Sequence, residues 1–596
     1  MQLTAEQQAI IATSGNCKIN AVAGSGKTST LLQYAATRPG GARILYLAFN
    51  RTVREEAIRR FTTAGLSQVR IETAHSLAYR HVVPQYGYQV RAKGYLTREI
   101  AELLGLSVAG EKHGAYILAN HIGKFVSLFC NSSAEKVTEL DYTETVRDEK
   151  ARGFVRTHYE QIVQGTRMLL GKMDKGQIEC THDFYLKKFQ LLAPQLPFDY
   201  ILFDEGQDAS PAMLNVFLRQ PAIKVIVGDT HQQIYGWRHA VNALESVPFP
   251  ALPLSASFRF GPAIARLATQ VLQWKGHLGD QPLIDIKGKG SPSEDQSTAT
   301  IARSNLGLLL AAIRYITDNR QVQRIYFEGN INSYTYADDG ASLYDVWYLC
   351  NGDTGKVRDP LLRSLGGETE LEEYIEKTED AQLGTLLDIV REYGNEIFDL
   401  LRRLKTLHIG DDRRHEAEMI FSTVHRSKGM EYGTVHLASD FLSESRLERL
   451  LATKKEELAT PRLNEEINLL YVALTRARRL LYMPEALLPK DHRPSVEIRV
   501  VRALPEVQEA AESPGGSRDK RGSSGTRAAR ERTKTPFQEI RRAHKNAYEA
   551  WSAESDAELR QLFHRGVPLS ELAGHFGRNK GAILARLRKL GCFGES

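Results

Sequence analysis

The run Ala21–Ser29, AVAGSGKTS, sets glycines, a lysine and hydroxyls at the spacing of a phosphate cradle. Gly24, Ser25 and Gly26 can turn backbone N–H groups inward around phosphate oxygens. Lys27 would reach the β- and γ-phosphates, and Thr28, followed by Ser29, would hold Mg²⁺ as the helix opens. The run departs from GxxxxGK[ST] only in Ala21 at the first position. A second apolar run, YILFDEGQD, ends in Asp204 and Glu205. The first carboxylate suits the Mg²⁺ shell, and the second suits orienting and deprotonating an attacking water. A third run, VGDTHQQIYGWRHA, carries Gln232, whose amide both donates and accepts and can register a γ-phosphate. Tyr235 and Trp237 follow within a few residues. Aromatic faces stack on bases at about 1–3 kcal/mol each, whatever the base. One short loop would thus tie hydrolysis at one end to grip on a base at the other. The bland alternative is that either ring is simply a core residue.

Such residues must be carried on strand ends. CKINAV (Cys17–Val22), RILYLAF (Arg43–Phe49), YILFD (Tyr200–Asp204) and IKVIVGD (Ile223–Asp229) read as buried parallel strands alternating with helices. The fold class is therefore α/β, with helices on both faces of a parallel sheet. A second α/β block starts near Leu252 and returns at EMIFSTVH (Glu418–His425) and GTVHLAS (Gly433–Ser439). The expected organisation is a first α/β domain over 1–79 and 196–250 with a helical insertion at 80–195. A second α/β domain covers 251–305 and 416–500, with an insertion at 306–415. A disordered linker, 501–536, is rich in Gly, Ser and charge, and a small all-α module fills 537–596.

A length of 596 residues implies about three to five domains. No apolar run approaches the roughly 20 residues that span a bilayer, and the start lacks the basic and apolar regions of a signal peptide. The five cysteines (Cys17, Cys130, Cys180, Cys350, Cys592) form no CxxC pair, which speaks against a disulfide framework or zinc cluster. A reducing cytoplasm is the expected location, at the nucleoid if the source is bacterial. The net charge is +6, yet from Gly515 onward 17 Lys/Arg face 9 Asp/Glu, so the basic excess lies in the tail. Such a tail is a handle for a polyanion or a solvated linker.

The ordered set of motifs from about Leu3 to Leu481 resembles the superfamily 1 DNA helicases of the UvrD/Rep type. LTAEQQAII resembles the family's Q motif, implying that Gln7 reads adenine, with Gln8 as the other register. YLAFNRTVREEA implies that Phe49 and Asn50 touch single-stranded DNA, and ETAHSLAYR implies the same of Thr73 and His75. LSASFRF implies that Phe258 stacks on adenine, in place of the family tyrosine, and that Arg259 meets the γ-phosphate. STVHRSKGMEY implies that Glu431 holds the ribose while His425 and Lys428 belong to a loop coupling DNA to the nucleotide. NLLYVALTRARR supplies Arg476 as the second arginine. The resemblance implies two RecA-like motor domains that close on ATP and Mg²⁺ and ratchet along a strand from 3′ to 5′. The expected substrates are single-stranded and tailed duplex DNA. Recombinase or single-strand-binding proteins are candidate partners, and the expected state is a monomer with no membrane attachment.

Stretches such as GQDASPAM and EGNINSY are similar to the F-box DNA helicase branch, although no F-box segment is apparent. That branch is linked to restraining recombination. The second insertion is shorter than in UvrD itself. In the tail, AYEAWSAESDAELRQLFHRGVPLSELAGHFGRNKGAILARLRKLG reads as three short helices in a helix-turn-helix or Myb-like order, with Arg578 and Lys580 opening the recognition helix. A protein-binding three-helix module is the alternative. The competing function is a DNA-binding ATPase switch without processive unwinding. A nuclease is disfavoured because no carboxylate cluster with a nearby lysine follows Leu481.

Overall fold

The computed structural model describes residues 3–108, 110, 112–236, 240–279, 285–290, 294–319, 321–334, 341–394, 396–452, 460–502, 553–565 and isolated positions between 567 and 590. The chain forms two compact units, Met1–Val507 and Gln508–Ser596.

The first unit holds two six-stranded sheets in which every pairing is parallel. The strands of the first are β1 (Cys17–Ala21), β2 (Ile44–Ala48), β3 (Val69–Thr73), β4 (Tyr200–Phe203), β5 (Ile223–Gly228) and β6 (Ala251–Leu254), in the order β3-β2-β4-β5-β1-β6. All five residues of β2 are buried, as expected where helices cover both faces. β7 (Ala256–Ser257) and β8 (Lys287–Gly288) form a small separate pair. The second sheet comprises β9 (Thr298–Ala302), β10 (Ile325–Phe327), β11 (Met419–Thr423), β12 (Tyr432–Leu437), β13 (Ala477–Pro484) and β14 (Ile498–Val501), in the order β10-β11-β9-β12-β13-β14. Parallel pairing puts all C-terminal strand ends of a sheet along one edge, where ligands of open α/β sheets bind.

The four strands expected in the first lobe fall within a residue or so of their sequence bounds. β3 and β6 were not anticipated. β6 pairs with β1 through Lys18↔Ala251 to Ala21↔Leu254, so the first sheet runs to Leu254 rather than ending at 250. β10 pairs with β11, and the helix Asn305–Asp318 packs on β9 and β11. Residues up to Phe327 therefore belong to the second sheet lobe rather than to the insertion drawn at 306–415. β10 is only three residues long, too short to show a period in sequence.

The two insertions are helical. The first holds Thr97–Leu104, Gly114–Asn131, Glu149–Thr157, Tyr159–Asp174 and His182–Leu192, and the second includes Leu343–Cys350, Glu368–Thr378, Ala381–Tyr393 and Glu396–Leu407. They meet at the C-terminus of Glu368–Thr378. Buried His121 contacts the Lys377 carbonyl through Nε2 at 3.0 Å, and Lys124 Nζ donates to the Thr378 carbonyl. Glu379 accepts the backbone N–H groups of Arg147 and Asp148 at 2.8 and 2.7 Å. Among the described residues, no helix is long and apolar enough to cross a membrane.

In the second unit, the helix Ala553–His564 contributes Leu559 to a small apolar core with Leu572, Phe576, Ile583 and Leu587. Arg586 pairs with Asp556 at 2.5 Å. Arg578, Lys580 and nearly all of the expected linker lie outside the described residues.

Candidate nucleotide and nucleic-acid site

The phosphate loop follows β1 and opens the helix Lys27–Ala36. Gly24 and Gly26 have φ of +73° and +79°, a conformation that side-chain-bearing residues adopt only with strain. A Cβ on Gly24 would come within 2.6 Å of Arg259 Cβ, so the loop touches the second lobe's arginine segment directly. The Phe258 N–H donates to the Gly24 carbonyl at 2.9 Å. Gln7 is buried, completes a capping box with Thr4, and donates to Thr30 on the loop's helix at 3.2 Å. Gln8 is exposed, so Gln7 is the glutamine packed against the loop's helix. Thr28 is half-buried and Ser29 exposed. The Ser25 hydroxyl is buried with no hydrogen-bond partner among the described residues, a donor aimed into a cradle.

Asp204 and Glu205 follow β4, which lies beside β5 in the same sheet. Glu205 has φ +55°, a strained position for a residue with a side chain, and it pairs with Lys27 at 2.8 Å. Burial alone would raise the Glu205 carboxyl, but Lys27 and then Lys428 hold it well below the usual range. Burial and the Glu205 charge push Asp204 the other way, above it. Burial also presses the Lys27 ammonium downward, yet Glu205, Asp204 and Asp229 together outweigh this and leave it above the ordinary lysine value. The Tyr46 hydroxyl on β2 donates to Asp204. A tyrosine inside a fully buried strand needs such a partner, and this one fixes the carboxylate.

Asp229 ends β5. It accepts from Gln232 Nε2 at 2.9 Å and from the Tyr471 hydroxyl at 2.9 Å, and Tyr471 in turn accepts the Ala23 N–H of the phosphate loop at 3.2 Å. Tyr471 comes from the second lobe, on the helix Thr460–Leu474. One hydroxyl thus joins the phosphate loop, the Gln232 segment and the arginine helix. Gln207 completes the network, accepting the Asp229 N–H at 3.1 Å and donating to Glu205 at 2.5 Å. Sequence reasoning assigned no role to Tyr471, Asp229, Gln207 or Tyr46. The usable signal was polar residues inside or capping apolar runs.

From the second lobe, Arg259 pairs with Glu431 at 2.8 Å and donates to the Thr475 carbonyl at 3.1 Å. Arg476 is 1% exposed. Its guanidinium donates to the carbonyls of Val472 (3.0 Å) and Met430 (3.3 Å) and to the Thr475 hydroxyl, and no carboxylate pairs with it among the described residues. Burial, then repulsion from Arg259, lowers it to about 9. The Tyr471 hydroxyl, on the helix that leads into Arg476, holds the Ala23 N–H just before Lys27's loop, so the Arg476 turn is tied to the phosphate loop.

Lys428 leaves this cleft toward the other expected contacts. Its ammonium pairs with buried Asp208, donates to the Gln232 carbonyl at 2.7 Å, and lies 5.0 Å from the Tyr235 ring centroid and 5.8 Å from that of Phe49. Phe49 and Tyr235 stack on each other, centroids 5.4 Å apart. His425 Nε2 contacts the Ile234 carbonyl at 3.0 Å, and the Tyr235 hydroxyl donates to the His425 carbonyl. Burial lowers His425 to about 4, so its ring is neutral. Asn50 and Thr73 cap the helices Arg51–Thr63 and Ala74–Tyr86, which gives each a structural task. His75 lies apart from the Phe49–Tyr235 cluster, near Asp183, His182 and Tyr185 of the first insertion. Trp237 lies outside the described residues.

Residues 3–245 match the UvrD/REP helicase N-terminal domain, and residues 345–486 match the UvrD-like helicase C-terminal domain. The chain belongs to the UvrD-like helicase family. It is 29% identical to F-box DNA helicase 1 of Gallus gallus over 82% of this chain and 49% of that protein. It is 30% identical to F-box DNA helicase protein 1 of Schizosaccharomyces pombe over 81% of this chain and 58% of that one. The chain thus spans about half the length of the curated relatives it matches. A solved arterivirus nonstructural protein 10 (helicase) aligns at a TM-score of 0.24 and 12% identity, over 80% of this chain and 60% of that one, and we draw nothing from it.

Proposed function

We propose that this chain is an ATP-driven DNA helicase and single-strand translocase of 3′ to 5′ polarity. The observation that carries the reading is Arg476, a buried arginine with no carboxylate paired to it among the described residues, on a segment that Tyr471 ties to the phosphate loop of Lys27. Transition-state charge on the γ-phosphoryl oxygens is what such an arginine would meet, at a rate gain of about 10³–10⁵. In this reading Lys27 leaves Glu205 for the phosphates, freeing that carboxylate to orient and deprotonate water. Gln7 reads the adenine, Phe258 stacks on it, and Glu431 holds the ribose once Arg259 turns inward. Thr28 and Asp204 would hold Mg²⁺, which when bound supplies charge neutralisation of the phosphates. The unpartnered Ser25 hydroxyl and the depressed acidity of Asp204 fit that occupancy.

Force reaches the strand through Lys428, which touches Asp208 and Gln232 on the nucleotide side and the Phe49–Tyr235 pair on the other. A base entering between those rings must displace their mutual stack. Shifting Lys428 as the cleft closes or opens is what would let one lobe release while the other grips. The resemblance supplies the polarity and supports a role in DNA repair and the control of recombination. The test is ATP turnover with oligonucleotides of increasing length, followed by unwinding of duplexes with a 3′ or a 5′ tail. Turnover that grows with strand length, and unwinding of the 3′-tailed duplex alone, are expected. Stimulation independent of length identifies a stationary ATPase switch instead.

A further inference from the structure

The helix Ala74–Tyr86 carries an aromatic row that runs on past His75, the DNA contact its motif implies, to Tyr79 and Tyr86. His75, Tyr79 and Tyr86 are four and seven residues apart, which sets them along one helix face. Tyr79 is 45% and Tyr86 40% exposed, an unusual display for large rings. Each is held in place. Tyr185, buried on the helix His182–Leu192, meets His75 and Tyr79 edge-on at 6.1 and 5.8 Å. Tyr86 stacks on Tyr88 at 5.4 Å, and the Lys188 ammonium lies 4.9 Å from its centroid. The carboxylates along this seam are engaged: Asp183 near His75 at 3.6 Å, and Asp174 with Lys188 at 2.7 Å.

The row starts on the strand next to the one that carries Phe49. Phe49 follows Ala48 at the end of β2, and the register partner of Ala48 is Thr73, which caps the aromatic helix. One strand over from the stacked pair, the chain thus begins a second set of fixed ring faces. At 1.5 Å per residue, His75 to Tyr86 covers about 16 Å, the length of a few unpaired nucleotides. Rigid exposed rings beside a cation are what sequence-independent stacking requires.

We infer that this row is a second stacking platform, which carries the bases of the single strand from the motor cleft onto the first helical insertion. The inference rests on the proposed function and names where that strand goes. It predicts a footprint longer than the motor cleft alone would give.

The test is fluorescence anisotropy of the full chain with labelled oligo-dT of graded lengths. It uses the wild type, Tyr79→Ala/Tyr86→Ala and Tyr79→Phe/Tyr86→Phe. The alanine pair should lose affinity about five-fold or more per ring on long oligonucleotides, should lose little on the shortest, and should regain it with phenylalanine. Equal affinity of alanine pair and wild type at every length overturns the platform, as does an equal loss at every length. Failure of the wild type itself to bind oligo-dT sinks the proposed function and the platform with it. Wild-type binding with an indifferent alanine pair sinks the platform alone.

Discussion

The two lobes of the first unit meet at two seams built on opposite plans. At the nucleotide seam, Lys428 pairs with buried Asp208, Tyr471 bridges Asp229 and the Ala23 N–H, and Arg476 sits buried with no carboxylate paired to it among the described residues. Burial raises Asp208 to about 6 despite Lys428, and raises Asp229 too. At the insertion seam, His121 and Lys124 cap the carbonyls of Lys377 and Thr378, and Glu379 takes two backbone N–H groups. There the buried groups end on backbone partners, and Lys112 and Lys150 pair with Glu370 and Glu376 across the seam. Both seams hold strain: Glu205 at the first, and His113 and Glu379 at the second, are three of the four described non-glycine residues with positive φ. The difference teaches which seam is built to work. A satisfied contact holds shape, whereas charges buried in excess of their partners wait for a ligand.

The sharpest way to break that contrast is Arg476→Met, which keeps the side-chain volume and removes the charge. Turnover of ATP with saturating single strand should fall by about 10³–10⁵. The melting temperature should stay level or rise, because a desolvated cation without a carboxylate is gone. A clear drop in melting temperature, measured by calorimetry beside the ATPase assay, makes Arg476 a structural bolt and erases the distinction.

Lys428 and Asp208 sharpen it next. Lys428→Met strands the Asp208 carboxylate, and loss of one partner from a buried pair costs about 3–5 kcal/mol. Adding Asp208→Asn should recover most of that stability. It should not recover coupling, measured as ATP consumed per base pair unwound, since the cation beside Tyr235 and Phe49 remains absent. If the double variant unwinds at normal ATP cost, Lys428 is no transmitter.

Much of the nucleotide side was legible in sequence because its chemistry is local. A phosphate loop is one turn between a strand and a helix, and Asp204–Glu205 is one strand end, so spacing alone betrays them. Parallel strands buried on both faces also announce themselves as short apolar runs. Roles that depend on contact across lobes stayed hidden. Tyr471 lies 448 residues from Ala23, and nothing local in NLLYVALTRARR says which hydroxyl will reach the loop. Asn50 and Thr73 resemble strand contacts in sequence, yet their side chains also cap helices, and pattern cannot separate the two tasks. Glu379 is invisible for a third reason. Its partners are backbone N–H groups, which every sequence possesses.

The smallest effect is the most specific to the insertion seam. A carbonyl can only accept, so His121 donates from Nε2 to Lys377 and accepts from the Tyr142 hydroxyl at Nδ1, 2.9 Å away. Burial, with the nearby Lys124 charge adding to it, lowers its value from 6.5 to about 4. Between those values the unfolded chain binds the proton and the folded seam does not. Stability therefore rises with pH through this window, and the part owed to neutral His121 is lost as pH falls from 6.5 toward 4. Between pH 6.5 and about pH 5 the loss is roughly 1.5 kcal/mol. His121→Gln cannot titrate, so the wild type's advantage over it should shrink across that range. His231 and His425 are also depressed by burial, but both proteins carry them and their effect cancels in the difference. Hydrogen exchange at the Arg147 and Asp148 amides places the loosening at this seam. If the advantage holds constant with pH while those amides stay protected, His121 is a packed ring and not a titrating cap. The insertion seam would then owe its strength to Glu379 and Lys124 instead.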